Sequence, residues 1–397
     1  MSSRRDAADN RAAAAALMFA RGGSREGCRL RRGVAEGGTM LRTPLTERLG
    51  LALPIVQAGL GPVGRPALAA AVSAAGGLGV LSGLGALDAE TIRREIREVR
   101  ARTDRPFGAN LLLNGAREAL ETRLAACQAE GVPALTFFWG DPAPHVEACR
   151  RAGAAVLMSV GSVEEARRAA AAGVDVVVAQ GWEAGGHVRG EVSTLALVPR
   201  VVDTVAPLPV LAGGGIADGR GLAAVLALGA AGAYVGTALL AAEEASVHPH
   251  YRARLLAAGE ADTLHTELFD GGFGRAPHRV LRNSTIAAWE AAGRPGPGRR
   301  PGEGEVIASS PRGTLLRYHA TVAGNGVEGD VEAMPLWAGQ GVGLVTRIRP
   351  AAEILAEMSA GAEAALRRAV APARRSGGGD AQPGTSGGRR HRNRTGR

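Results

Sequence analysis

The sequence predicts an α/β fold, a TIM (β/α)8 barrel with a lid subdomain inserted after the eighth strand, on three observations. Short runs of small and β-branched apolar residues recur eight times, at 54–58, 78–82, 107–113, 134–138, 155–159, 175–179, 209–213 and 233–236. Between them lie stretches such as TIRREIREVRART and SVEEARRAAAAG, charged on one face and rich in Ala, Val and Ile on the other. Strands alternating with covering helices give a parallel sheet, and eight consecutive units favour closure over a doubly wound open sheet. The third observation is that this alternation stops after the eighth run, where turn-rich and Gly-rich segments take over.

In chain order, residues 1–39 read as a disordered or untranslated extension. Their run AAAAALMFA imitates a signal peptide, but no clean small-residue cleavage site follows and the next segment, RGGSREGCRLRRG, is highly charged. A new start at Met40, MLRTPLTERLGLALPIVQAG, opens the barrel core, placed at 40–240. The uncharged stretch 221–242 is long enough to span a bilayer, yet four glycines divide it into helix, turn and strand, so it reads as barrel core. Residues 241–350, with the turn-rich RPGPGRRPGEGE, form the lid that completes the site. A closing amphipathic helix follows at 351–370, then a disordered basic tail at 371–397.

Composition narrows the function classes. Apolar residues make up 46% of the 397, but aromatics only 3%, so the core is built from Ala, Val, Leu and Ile packed around 58 glycines. Every one of the 47 basic residues is arginine. The net charge of +9 belongs to the ends: residues 1–39 carry +4 and residues 371–397 carry +6, which leaves −1 between them. A near-neutral globular part argues against a specific nucleic-acid partner. Three cysteines (Cys28, Cys127, Cys149) show no metal-ligand spacing and no disulfide framework, which fits a reducing, cytoplasmic setting and no metal site.

Sites in such barrels gather where the βα loops converge, at the C-terminal ends of the strands. LAGGGIADG after the seventh strand and YVGTALL after the eighth lie where barrels grip phosphate, because consecutive glycines let backbone N–H groups approach an anion. Gly213, Gly214, Gly215, Gly236 and Thr237 are the candidates. AQGWEAGGHVRG follows the sixth strand; Gly185 and Gly186, read as cofactor-binding, let the His187 imidazole be held against a flat ligand with no side chain intervening, and an imidazole is suited to proton transfer near neutral pH. Gln180 lies just past the strand, Glu183 either pairs with His187 or caps the next helix, and Trp182 fits simple packing. Gln57 and Gly59 mark the first loop, and Asn110 is a polar group within an apolar run that needs partners.

Together PIVQAGLG, AAAVSAAGGLGVLSG, PFGANLLL, VVVAQGWEAGGHVRG and PVLAGGGIADGRG resemble the nitronate monooxygenase family, also called 2-nitropropane dioxygenases. LFDGGFGRAPHRVLRN and MPLWAGQGVGL resemble its C-terminal part, so the likeness runs through about residues 41–365 in order. The resemblance implies an FMN-dependent barrel that oxidises alkyl nitronates with molecular oxygen to a carbonyl product and nitrite. It implies that His187 is the catalytic base and that Gln180 faces the flavin. It also implies that Gly214, Gly215, Gly236 and Thr237 hold the phosphate, while Gln57, Asn110, Gly339, Gln340 and Gly341 contact the cofactor.

The chain departs from that pattern at Gly59-Leu60, where many relatives carry Met, and at FFWGDP (137–142), where Gly-Leu-Pro is more usual. Both departures fall where substrate identity would be set. The same framework implies an alternative, an NAD(P)H-using enoyl-acyl-carrier-protein or quinone reductase. IMP dehydrogenase-like chemistry requires a loop cysteine, whereas Cys127 and Cys149 lie in helical patterns. A non-catalytic flavin-storing or nucleic-acid-anchored protein is the rival from another class.

Overall fold

A computed structural model describes residues 41–370 apart from Arg275; the extension at 1–39 and the tail at 371–397 lie outside the described residues. Helix α1 (Pro44–Leu49) starts at a Thr43 capping box and stops at Gly50 in the left-handed region. Eight parallel strands follow: β1 (Ile55–Gln57), β2 (Gly79–Leu81), β3 (Phe107–Leu112), β4 (Ala134–Phe138), β5 (Ala155–Val160), β6 (Val176–Gln180), β8 (Val210–Gly213) and β9 (Gly232–Val235). A two-residue strand, β7 (Gly186–His187), lies in the loop after β6. The eight pair in the order β1-β9-β8-β6-β5-β4-β3-β2. The ring closes where Gln57 N–H donates to the Leu78 carbonyl and Leu78 N–H to the Ile55 carbonyl, both at 2.9 Å.

Inside the ring, Val56, Val80, Leu157, Val176, Val178 and Leu211 meet, and Leu45, Leu49 and Leu51 plug the lower end. The outer layer is α2 (Pro66–Ala74), α3 (Ala89–Arg102), α4 (Arg117–Ala129), α5 (Ala143–Arg151), α6 (Val163–Ala171), α7 (Thr194–Val205) and α8 (Gly219–Ala227). Their apolar faces follow helical spacing: α3 buries Ile92, Ile96 and Val99 behind an Asp88 cap. The uncharged 221–242 run is divided among α8, β9 and the short α9 (Thr237–Leu240). Among the described residues no helix is long and apolar enough to cross a membrane.

The helix that should cover β9 does not follow it directly. Residues 241–350 intervene, with α10 (Pro249–Ala257), β10 (Thr263–Thr266), β11 (His278–Leu281), α11 (Ser284–Ala291), β12 (Val306–Ser310), β13 (Gly313–Leu316) and β14 (Glu328–Gly329). Then α12 (Ala351–Val370) packs on α8 and α2 and completes the outer layer. That crossing is close because both helices present glycine: a Cβ on Gly219 would overlap the Ala362 nitrogen and the Gly361 carbonyl carbon. The inserted segment forms two antiparallel sheets, β13-β12-β14 and β10-β11-β7. The second ties it to the barrel loop that carries His187.

Candidate active site

Above the apolar filling, the barrel interior turns polar. Asn110 of β3 donates from Nδ2 to Thr136 Oγ1 at 3.0 Å and to the Thr136 carbonyl at 3.1 Å. The Tyr234 hydroxyl hydrogen-bonds with Thr136 and accepts from Gly59 N–H at 3.2 Å; burial pushes its pKa up, so it stays a neutral phenol. Gly59 has to lack a side chain, since a Cβ would lie 2.6 Å from Asn110 Oδ1. Asn110 therefore has protein partners on its amide nitrogen side, and its side chain lies close against Gly59.

His187 is held by strand pairing. In β7 it stands opposite His278 of β11, and Gly186 stands opposite Arg279. Its imidazole stacks on Phe273, with centroids 3.9 Å apart and planes at 25°, and lies 4.9 Å from the Trp337 ring. Nε2 is buried without a hydrogen-bond partner. Burial, and after it the neighbouring His278, lowers the His187 pKa from 6.5 to about 3. The ring is thus neutral at physiological pH. His278 is itself fully buried, and burial lowers its pKa to about 4. Its Nε2 accepts from Phe269 N–H at 3.3 Å, so Nδ1 carries the proton and donates to the Ala276 carbonyl at 2.8 Å.

The rest of the loop is braced from within. Gln180 spans it, donating to the His187 carbonyl at 2.9 Å and accepting from Arg189 N–H at 2.8 Å. Glu183 does not reach for His187: its carboxylate accepts from Thr194 N–H at 2.8 Å and from Thr194 Oγ1 at 2.9 Å, which caps α7. Trp182 stacks on His265 at 3.9 Å, and Arg279 Nη2 donates to the Trp182 carbonyl at 2.9 Å.

The glycine segments converge, backbone against backbone. A Cβ on Gly185 would overlap the Gly339 nitrogen, and one on Gly341 would lie 3.1 Å from the Gly215 carbonyl oxygen. Gln340 N–H donates to the Glu183 carbonyl at 2.9 Å, and Gly339 N–H to Thr237 Oγ1 at 3.0 Å. Gly214 and Gly215 have φ of 110° and 72°, and their loop follows Gly213 into the Asp218-capped N-terminus of α8. Among the described residues the N–H groups of Gly215, Gly236 and Thr237 donate to no backbone acceptor. They form an anion-ready rim beside Gly339–Gly341. Gly185 makes room for another backbone segment rather than for a flat ligand, which corrects the sequence-based account of that glycine.

One expected residue stands apart. The Gln57 side chain is fully buried in the barrel wall, donating to the Val80 carbonyl at 2.7 Å and accepting from Val80 N–H at 3.2 Å. It stitches the short β1 to β2 and does not open onto the mouth. Conversely, the aromatic surround of His187, namely Phe273, His278 and Trp337, comes from residues far along the chain that sequence reasoning left unassigned. The available signal was the aromatic-bearing GGFGRAPHR and MPLW, in a chain with few aromatics.

This arrangement matches a known family. The nitronate monooxygenase family model matches residues 42–361. A nitronate monooxygenase of Paraburkholderia phytofirmans is 35% identical, covering 79% of this chain and 93% of the relative. A (3aS,4S,5R,7aS)-5-hydroxy-7a-methyl-1-oxo-octahydro-1H-indene-4-carboxyl-CoA dehydrogenase of Mycobacterium tuberculosis is 40% identical over 64% of this chain and 70% of its own. Among solved structures, FabK of Thermotoga maritima superposes with a TM-score of 0.71 at 34% identity, covering 83% of this chain and 99% of that one. The chain belongs to the nitronate monooxygenase family, and is one of its flavin-dependent oxidoreductases.

Proposed function

We propose that this protein binds FMN at the barrel mouth and oxidises alkyl nitronates with molecular oxygen, giving a carbonyl product and nitrite. The carrying observation is His187: a neutral, buried imidazole whose Nε2 has no protein partner, set beside a glycine rim with free backbone donors. The residues fit a flavin mononucleotide. Gly214, Gly215, Gly236 and Thr237 would hold the phosphate, Asn110 and the segment Gly339–Gly341 would line the ring system, and Gly59 makes room for the Asn110 side chain. Bound there, the flavin supplies oxidation of the nitronate and passage of its electrons to oxygen.

The protein's part is proton handling and exclusion of water. A neutral His187 accepts at Nε2 the carbon-bound proton of a nitroalkane, which yields the nitronate to be oxidised; burial of the ring disfavours a standing imidazolium before an anion binds. Phe273 and Trp337 keep water from the imidazole, and we assign residues 241–350, which deliver both, as the lid. The similarity to the dehydrogenase of Mycobacterium tuberculosis favours a second reading, proton abstraction from a ring-bearing carboxyl-CoA at the same His187.

The test is a visible spectrum of the purified protein, then oxygen uptake with a nitronate panel and anaerobic mixing with NADH or NADPH. A yellow protein that consumes oxygen with nitronates and is not bleached by reduced nicotinamide is expected. Rapid bleaching would move the assignment to a reductase, and a colourless protein that cannot be reconstituted with FMN would end the reading.

A further inference from the structure

Next to His187 lies a cleft of about 260 Å³ lined by Asn114, Trp139, Arg189, Phe273, Ala276 and Pro277. Phe273 is shared, since one of its faces stacks on the imidazole. Trp139 also lines the cleft; its backbone adopts φ of 60°, a left-handed conformation uncommon for a bulky residue, and its ring packs on Phe138 with centroids 4.8 Å apart. Arg189 is fixed at both ends. Its N–H donates to Gln180 Oε1, and Gly161 and Gly190 pack backbone to backbone just beyond it. Its guanidinium lies 4.7 Å above the Trp139 ring, with Nε 2.7 Å from Glu165 Oε1. Nε and Nη2 both face Glu165, whereas Nη1 makes no hydrogen bond among the described residues. Asn114, exposed in the cleft lining, likewise makes none among the described residues.

We propose that this cleft selects substrates with a flat or cyclic body and a carboxylate remote from the reacting carbon. The body packs against Phe273 and the rim of Trp139, and Arg189 Nη1 with the Asn114 amide receives the carboxylate. Two aromatic walls favour a ring over a short alkyl chain, and the volume approaches the ~300–1,000 Å³ of small-molecule pockets. A guanidinium held by stacking and by Glu165 presents its remaining edge at little entropic cost. The proposal rests on the reading of His187 as the proton acceptor, since it places the reacting carbon on the Phe273 side.

The experiment has a turnover arm and a binding arm, both on the full chain. In the first, oxygen uptake is measured with the nitronates of 2-nitropropane, nitrocyclohexane and 4-nitrocyclohexanecarboxylate. kcat/KM should rise along that series. Arg189→Met should lower the ratio of the third to the first by about 10- to 100-fold, mainly through KM, as expected for loss of a hydrogen bond to a charged group. Asn114→Ala, at an exposed position whose side chain makes no hydrogen bond among the described residues, should lower the same ratio by a smaller factor. In the second arm, calorimetric titration with cyclohexanecarboxylate and cyclohexanecarboxamide should show binding of the acid over the amide, lost in Arg189→Met. Equal binding of acid and amide, or a ratio unchanged in both variants, overturns the proposal. Arg189-dependent binding of the acid without oxidation of any nitronate keeps this proposal and removes the nitronate reading. Oxidation of all three nitronates without preference does the reverse.

Discussion

The imidazole of His187 lies between Phe273 and Trp337, opposite a second buried histidine, and the protein supplies no partner for Nε2. Its chemistry follows from that wrapping. His187→Ala should lower kcat/KM for nitroalkanes by about 10²- to 10⁴-fold, the usual worth of a positioned general base, with flavin content unchanged in the visible spectrum. In the wild type the acid limb of kcat/KM, which reports loss of the neutral ring, should fall far below 6.5, toward the folded value of about 3. Stability carries the same signature. Both His187 and His278 have folded pKa values below the unfolded 6.5, so between about 3 and 6.5 the unfolded chain binds more protons. Their neutral burial is fully favourable above pH 6.5, and the melting temperature should fall as pH drops below it. His187→Gln should flatten that fall; an equally steep decline in the variant would show that other groups control it.

At the scale of elements, the site is built from segments that lean on one another's backbones. Gly215 sits at φ of 72°, so Gly215→Ala costs about 1–2 kcal/mol in backbone conformation and distorts the proposed phosphate rim. A fluorescence titration with FMN should show weakened binding in that variant. Gln57 makes a contrasting case. Its amide replaces main-chain pairing where β1 and β2 are only three residues long. Gln57→Leu leaves the buried Val80 N–H and carbonyl unpaired, at about 1–3 kcal/mol for each group. Its main effect should be a lower melting temperature by calorimetry, and a loss of flavin with no change in melting would contradict this role.

For the whole molecule, the decisive feature is where the insertion falls. Residues 241–350 lie between the eighth barrel strand and the helix that covers it, so α12 must return to α8 and α2 to close the outer layer. Ending the chain at residue 350 would remove α12 and uncover the apolar surface of α8 and α2 against which Ile354, Leu355 and Met358 are buried. Such a truncation should aggregate, or lose its cooperative thermal transition on differential scanning calorimetry.

The sequence by itself determined the barrel. Every strand-like run is a strand within a residue or so of its expected ends, because strand runs and amphipathic helices are local patterns that the chain writes into its own periodicity. It also singled out His187 and the glycine loops, since glycine and histidine at strand ends are conspicuous in one dimension. What only the tertiary structure decided is which groups meet. Glu183 turns to Thr194 rather than to His187, Gln57 belongs to the barrel wall, and Gly185 accommodates the Gly339 backbone. The pKa of His187 comes from Phe273, His278 and Trp337, between 86 and 150 residues away along the chain. Desolvation and close packing depend on contacts across such separations, and no local pattern records them.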